Sequence, residues 1–246
     1  MNKISDGSVD MILCDLPYGT TRNKWDSVIP LEKLWSNYKR IIKTNGAIIL
    51  FAQTPFDKVL GYSNIEMLKY EWIWQKTEGT GFLNAKKMPL KFHENVLVFY
   101  ESLPTYNPQM SVGKPYKYKK DGISSSNYGN SNGTDMIVNS GERCPKSIVE
   151  FKKDKGLHPT QKPVALLEYL IKTYTNEDEV VLDNCMGSGS VGVACVNTDR
   201  KFIGIELDDG YYEAARKRVA EVSEAKQLNM LDVVQDIGLV THRGGV

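Results

Sequence analysis

Glu179-Val-Val-Leu-Asp-Asn-Cys-Met-Gly-Ser-Gly-Ser-Val-Gly-Val-Ala-Cys195, followed by Lys201-Phe-Ile-Gly-Ile-Glu206, decides how the chain is read. Val180, Val181 and Leu182 form the short β-branched run of a strand buried on both faces, and Asp183 closes it. Gly187, Gly189 and Gly192 follow at G-x-G-x-x-G spacing. There the missing side chains permit a tight turn and let a ligand lie against backbone N–H groups at a helix start. Phe202 to Ile205 predicts a second buried strand ending in Glu206, about twenty residues beyond the turn, where a carboxylate accepts the hydroxyls of an adenosine ribose. A glycine-rich turn by itself can be mere packing. Strand, turn, helix, second strand and terminal acid in this order predict an adenosine-cofactor site, and the turn alone does not exclude NAD.

A nucleotide-binding half-fold normally begins with this strand, yet only the last quarter of the chain follows it. The remaining strands must precede Val180. The expected fold is therefore α/β, Rossmann-like, with permuted strand order: a catalytic half over residues 1–101, an irregular insertion over 102–157, and the cofactor-binding half over 158–246. The 246 residues, 41% hydrophobic and 25% charged, suffice for one such core plus an insertion. No apolar run approaches a membrane span and no signal-peptide core follows Met1, so a cytoplasmic protein is expected. Cys14, Cys144, Cys185 and Cys195 show no C-x-x-C pairing, which suits a reducing compartment and argues against a zinc site.

Val9-Asp-Met-Ile-Leu-Cys14 is a compact strand candidate that runs into Asp15-Leu-Pro-Tyr18. Pro17 forbids continuation in a central strand, so Asp15, Leu16, Pro17 and Tyr18 are presented at the strand's carboxyl end, the edge where open α/β sheets bind ligands. An ordinary turn uses the same residue types, so four residues alone decide nothing. Pro30 to Lys43 has helical spacing, Gly46 to Phe51 reads as a second buried strand, and Thr54 to Gly61 as a short helix. Tyr70 to Trp74 and Asn95 to Tyr100 are further strands around a loop from Thr77 to Glu94, with Trp72 and Trp74 assigned to the core. Val164 to Tyr174 is a helix with Pro163 at its start, and Asp208 caps another that carries Tyr211, Tyr212, Ala215 and Val219. Leu231 to Val240 is a candidate edge strand.

From Ser102 to Leu157 the periodicity stops. Nine basic residues (Lys114, Lys117, Lys119, Lys120, Arg143, Lys146, Lys152, Lys153, Lys155) face five acids (Asp121, Asp135, Glu142, Glu150, Asp154) in a chain of net charge +1. Lysines interleaved with tyrosines in Lys114-Pro-Tyr-Lys-Tyr-Lys-Lys120 can hold phosphates while rings approach bases; a solvated insertion is the alternative. Lys114, Lys117, Lys119, Lys120 and Arg143 are the candidate nucleic-acid contacts.

In sum of motifs, the chain resembles the amino-group DNA methyltransferases that use S-adenosylmethionine, in the permuted β group whose catalytic motif precedes the cofactor motif. Asp15-Leu-Pro-Tyr18 looks like that family's D-P-P-Y motif with Leu in second place. His158-Pro-Thr-Gln-Lys-Pro163 is similar to the segment before its cofactor strand, and Asp183 through Gly189 to its D-x-x-x-G-S-G loop. An initial Asp is nearer to the adenine-N6 members, and Asp-Leu-Pro-Tyr-Gly-Thr-Thr is similar to phage and prophage adenine methylases. Members of this order usually carry one more strand before the Ser-Val-Asp; here Met1 stands a few residues before Ser8-Val-Asp10, so either a start further upstream has been lost or that edge is completed otherwise, with Leu231 to Val240 as the candidate.

What the resemblance implies is methyl transfer to the N6 amino group of adenine in double-stranded DNA. Asp15 and a backbone carbonyl near Leu16 or Pro17 would accept the amine's N–H groups, while Tyr18 stacks on a flipped base. Asp183, Cys185, Gly187, Ser188 and Gly189 would face the methionine end of S-adenosylmethionine and Glu206 its ribose. Phe51 would flank the cofactor, His158, Thr160 and Lys162 would be secondary contacts to it, the insertion would be the target-recognition region, and a homodimer is open. Cytosine-N4 transfer, a catalytically impaired DNA-binding relative and an NAD-dependent oxidoreductase stand as alternatives.

Overall fold

The computed structural model describes residues 1–19, 27–119, 123–125, 129–131, 136–154 and 161–240. The expectations for Lys120, His158 and Thr160 lie outside them. Val9–Asp15 forms β1, with Met11 and Leu13 buried on one side and Ile12 and Cys14 on the other. That two-sided burial is why the run is continuously apolar rather than alternating. Helix α1 (Leu31–Ile41) follows, burying Leu34, Trp35, Tyr38 and Ile41, and then β2 (Ile42–Ala52), α2 (Phe56–Ser63), β3 (Leu68–Thr80) and β4 (Lys91–Phe99). Strands β3 and β4 run further than the sequence predicts, so much of the expected loop from Thr77 to Glu94 is a hairpin.

Six short strands come next: β5 (Ser111–Val112), β6 (Tyr116–Lys119), β7 (Ile123–Ser125), β8 (Gly129–Ser131), β9 (Met136–Asn139) and β10 (Glu142–Arg143). The chain then returns with β11 (Ile148–Glu150), α3 (Val164–Tyr174), β12 (Val180–Asp183), α4 (Ser190–Asn197), β13 (Lys201–Gly204) and α5 (Asp209–Val240). Among the described residues the main sheet has seven strands in the order β11-β3-β4-β2-β1-β12-β13. All pairs are parallel except those made by β4, which runs against both neighbours. Cofactor strand β12 lies beside β1 with Ile12 opposite Leu182, so the two motifs from opposite ends of the chain finish at one edge. Helices α3 and α4 cover one face, joined by Trp72 and Trp74 in that core, while α1 and α2 cover the other.

The chain divides into two compact units, 1–107 with 147–246, and 108–146. The second is narrower than the expected insertion, because Ile148–Glu150 pairs with β3 in the main sheet and the Asn107 N–H donates to the Thr173 carbonyl at 2.8 Å. Within it β5 pairs with β10, β6 with β9 and β7 with β8, all antiparallel.

The expected edge strand at Leu231 to Val240 is a correction: that backbone continues α5. Extending an existing helix needs no new nucleus, whereas a new strand would have to pair from scratch. Among the described residues β13 therefore ends the sheet on that side.

Candidate active site

Pro17 ends β1, and the four residues of the first motif diverge there. Leu16 turns its side chain into the core, 3% exposed, so what it can offer a ligand is its backbone. Asp15 stays partly exposed and both of its oxygens are engaged. The Tyr18 hydroxyl donates to Oδ1 at 2.6 Å, and the Lys162 ammonium donates to Oδ2. The Tyr18 ring stacks on Phe56 with centroids 5.3 Å apart.

Lys162 lies just before α3 and is buried; its Nζ is also 3.3 Å from Glu94 Oε2 and 5.1 Å from the Phe51 ring centroid. Glu94, at the start of β4, is paired through Oε1 with Lys76 of β3. Four ionisable groups thus alternate in sign, Asp15, Lys162, Glu94 and Lys76. Burial works against the Lys162 charge, yet the neighbouring Asp15 and Glu94 carboxylates carry its pKa above the ordinary lysine value. Burial likewise works against Glu94, but Lys162 and Lys76 hold its carboxyl below the usual range. At Lys76 burial prevails and the ammonium is lowered. Burial, followed by the charges of Asp15 and Glu94, pushes the Tyr18 phenol well up, so it is a neutral donor at physiological pH.

The second motif forms the neighbouring part of the same edge. Asp183 is buried and its Oδ1 accepts from the Cys185 N–H at 3.0 Å; burial, with the charges of Asp15 and Glu206 adding, raises its carboxyl to about 7. Glu206 closes the turn from the other side. Its Oε2 accepts from the Gly187 N–H at 2.9 Å, and Oε1 from Leu207 and Asp208 at 2.9 and 3.0 Å. Gly189 opens α4 at φ 76°, and a Cβ there would stand 2.9 Å from the Ala215 Cβ of α5, so this position needs glycine both for its backbone and for its neighbour. From α5, Arg218 donates to the Ser188 carbonyl and the Ser190 hydroxyl, each at 3.1 Å. A Cβ on Gly187 would meet nothing within 4 Å, so the turn borders open space. A carboxylate has four lone-pair sites, and Glu206 keeps one beyond its three backbone bonds, which suits a ribose hydroxyl. A buried carboxyl near neutrality at Asp183 suits a cationic group, which would restore its charge. The donor set fits a positively charged adenosine ligand better than an anionic pyrophosphate.

A family model described as DNA methylase matches residues 9–217. The chain belongs to the DNA methylase family. It is 27% identical over 240 residues to the Type II methyltransferase M.HpaI of Haemophilus parainfluenzae, covering 89% of this chain and 70% of that protein. It is 26% identical over 247 residues to the DNA adenine methyltransferase YhdJ of Escherichia coli (strain K12), covering 89% and 79%. The crystal structure of an M1.HpyAVI-SAM complex is similar with a TM-score of 0.58 at 26% identity, covering 86% of this chain and 89% of that one.

Within this DNA methylase the structure brings Asp15, Tyr18, Phe51 and Lys162 together, and Asp183, Cys185, Gly187, Ser188, Gly189 and Glu206 in the adjoining turn. Lys162, expected among the cofactor contacts, is paired with Asp15 and Glu94. The sequence reading passed over Lys76 and over Tyr38, whose hydroxyl donates to Asn184 Oδ1 at 2.5 Å. Trp72, Trp74 and Lys76 stand at alternate positions of β3, and a lysine continuing a buried tryptophan face was the available signal. In the smaller unit, Lys117 and Lys119 are exposed on β6 with Tyr116 and Tyr118, and the Arg143 guanidinium lies 4.7 Å over the Tyr116 ring.

Proposed function

We propose that this DNA methyltransferase moves the methyl group of S-adenosylmethionine to the N6 amino group of adenine in double-stranded DNA. The observation that carries the reading is the Asp15 carboxylate, held between the Tyr18 hydroxyl and the Lys162 ammonium on the strand next to the Asp183–Gly189 turn. S-adenosylmethionine supplies an electrophilic methyl on a sulfonium. Everything else is done by the chain. An exocyclic amine conjugated to its ring is a poor nucleophile, so Asp15 accepts one N–H and the backbone near Leu16 or Pro17 the other, localising the lone pair for in-line attack. The amine would gain positive charge as it takes up the methyl group, which the Asp15 carboxylate would stabilise until the surplus proton passes to that carboxylate or to water. Tyr18 offers its ring to the extruded base. Asp183 faces the cationic end of the cofactor and Glu206 its ribose.

The relative named as a DNA adenine methyltransferase and the leading Asp favour adenine over cytosine-N4. Residues 108–146 serve as the target-recognition region, with Lys114, Lys117, Lys119 and Arg143 on phosphates. No helix among the described residues is long and apolar enough to cross a membrane. A cytoplasmic location and a homodimer belong to the same proposal.

The test is transfer of labelled methyl from S-adenosylmethionine to unmethylated duplex DNA, with nucleoside analysis, for wild type and Asp15→Ala. The expected product is N6-methyladenine, lost in the variant by about 10²–10³-fold in kcat. N4-methylcytosine would keep the chemistry and overturn the base; no product from any DNA would overturn the activity.

A further inference from the structure

At the tip of the β3–β4 hairpin, a 3-10 turn, Phe82–Asn84, presents Phe82 and Leu83 to solvent at 71% and 101% exposure. Two large apolar side chains held outward side by side mark a contact surface rather than a core. The turn is built for it. Gly81, at φ 93°, bends the chain in a conformation that L side chains rarely adopt, and Phe92 packs so closely on Gly79 that a Cβ there would lie 2.6 Å from the ring. The tip is also basic: Lys86, Lys87 and Lys91 are all exposed, against the single acid Glu78.

Register places this hairpin at the reactive edge. Asp15 is opposite Phe51, Phe51 is opposite Val96, and β4 runs in reverse, so its first residues lie where β1 and β2 end. The hairpin's base is tied there as well. The Lys91 ammonium donates to Gln53 Oε1 at 3.1 Å, Lys76 and Glu94 pair across the two strands, and Glu94 leads through Lys162 to Asp15.

We propose that Phe82 and Leu83 are a wedge that enters the DNA duplex at the target base pair and fills the gap left when the adenine turns out toward Asp15, with Lys86 and Lys87 on the flanking phosphates. It rests on the reading of the protein as a methylase of duplex DNA, and adds to it the element that opens the duplex. A paired base cannot reach Asp15, unstacking it costs free energy, and an aromatic and an aliphatic side chain inserted in the stack offset that cost. The chemistry fits no small ligand: the tip is convex, apolar and ringed by positive charge, which is complementary to a stack of bases between two phosphate backbones.

The experiment first reads the methylated sequence from DNA treated with the wild-type protein. It then compares single-turnover methylation of two duplexes, one fully paired and one with an abasic site opposite the target adenine, by the wild type and by the Phe82→Ala/Leu83→Ala double variant. Calorimetric binding of S-adenosylmethionine checks that the variant is folded. The expected result is a loss of at least about tenfold on the paired duplex, with the rate on the abasic duplex, where the base is already unpaired, within about twofold of wild type. With 2-aminopurine at the target position of the paired duplex, the fluorescence rise on binding is lost in the variant. Equal slowing on both duplexes, or on neither, overturns the wedge. A wild type that methylates neither duplex overturns the methylase reading and the wedge with it.

Discussion

Lys162 reaches Asp15 from 147 residues along the chain and occupies Oδ2, while the hydroxyl of Tyr18, three residues away, occupies Oδ1. The two partners are not equivalent. The ammonium is buried and bound to a second carboxylate, whereas Tyr18 is a neutral donor on a ring only partly covered. In the proposed mechanism an amine entering the site exchanges with the tyrosine hydroxyl and leaves the ion pair standing.

That exchange separates the two jobs of Tyr18. Tyr18→Phe keeps a ring for stacking and removes only the bond that the substrate replaces, so its kcat should stay within about threefold of wild type. Tyr18→Ala removes the stacking surface and should lose about 10²-fold in kcat/KM. Steady-state kinetics on one DNA substrate checks both; a Phe variant as impaired as the Ala variant would assign the hydroxyl a direct part in transfer.

Glu94 acts on Asp15 through Lys162, which makes it a positioning residue. Glu94→Gln leaves Lys162 and Lys76 facing a neutral amide in a buried site, a loss of about 2–4 kcal/mol of stability measurable by denaturant unfolding. With the counter-charge gone, Lys162 draws more strongly on Asp15, and kcat should fall about tenfold while S-adenosylmethionine affinity holds. Glu94→Asp, which restores the charge, should recover most of kcat. A purely structural role predicts the stability loss with kcat unchanged.

The core of the fold is legible because strands and turns are local. Val180 to Glu206 declares its strand, turn and second strand by composition alone, and Pro17 marks where β1 must stop. The position of β4, reversed between β2 and β3, is not legible: pairing across a sheet depends on partners far apart in sequence, and an apolar run carries no direction. Strand β11 was missed for a related reason, since Ile148-Val-Glu150 is too short to show a period. Asp15 and Tyr18 could be named from their motif. Lys162 could be named as well, but not its pairing through Glu94 to Lys76, because which charges meet in a buried site depends on strands that only the fold brings together.

Gly189 carries two constraints that can be separated. Gly189→Ala places a side chain on a backbone at φ 76° and a Cβ at 2.9 Å from that of Ala215, together a loss of about 2–4 kcal/mol in unfolding free energy. Adding Ala215→Gly removes the Cβ partner but not the backbone strain, so it should return only about half of the loss. Full recovery, measured against Ala215→Gly alone, would mean that the backbone tolerates alanine; no recovery against that reference, that the Cβ contact is unimportant. Thermal unfolding of the wild type, the two single variants and the double variant decides.

In its proposed place at the cationic end of the cofactor, Asp183 should make both stability and cofactor binding depend on pH, in opposite senses. Its folded pKa is raised by burial to about 7, from an ordinary 3.8, so between those values the folded state holds a proton that the unfolded state has released. Stability of the free protein therefore falls as pH rises from about 4 to about 7, by at most about 4 kcal/mol, and levels off above. Asp183→Asn, which cannot ionise, should be more stable than wild type at pH 8 and should lose this slope. A cationic cofactor prefers the ionised carboxylate, so the wild-type Kd for S-adenosylmethionine should be about tenfold weaker at pH 6 than at pH 8. Denaturant unfolding across that range and calorimetric titration at the two pH values measure the two effects on one protein. A Kd that is flat from pH 6 to pH 8 would mean that the cofactor does not meet Asp183 in its charged form.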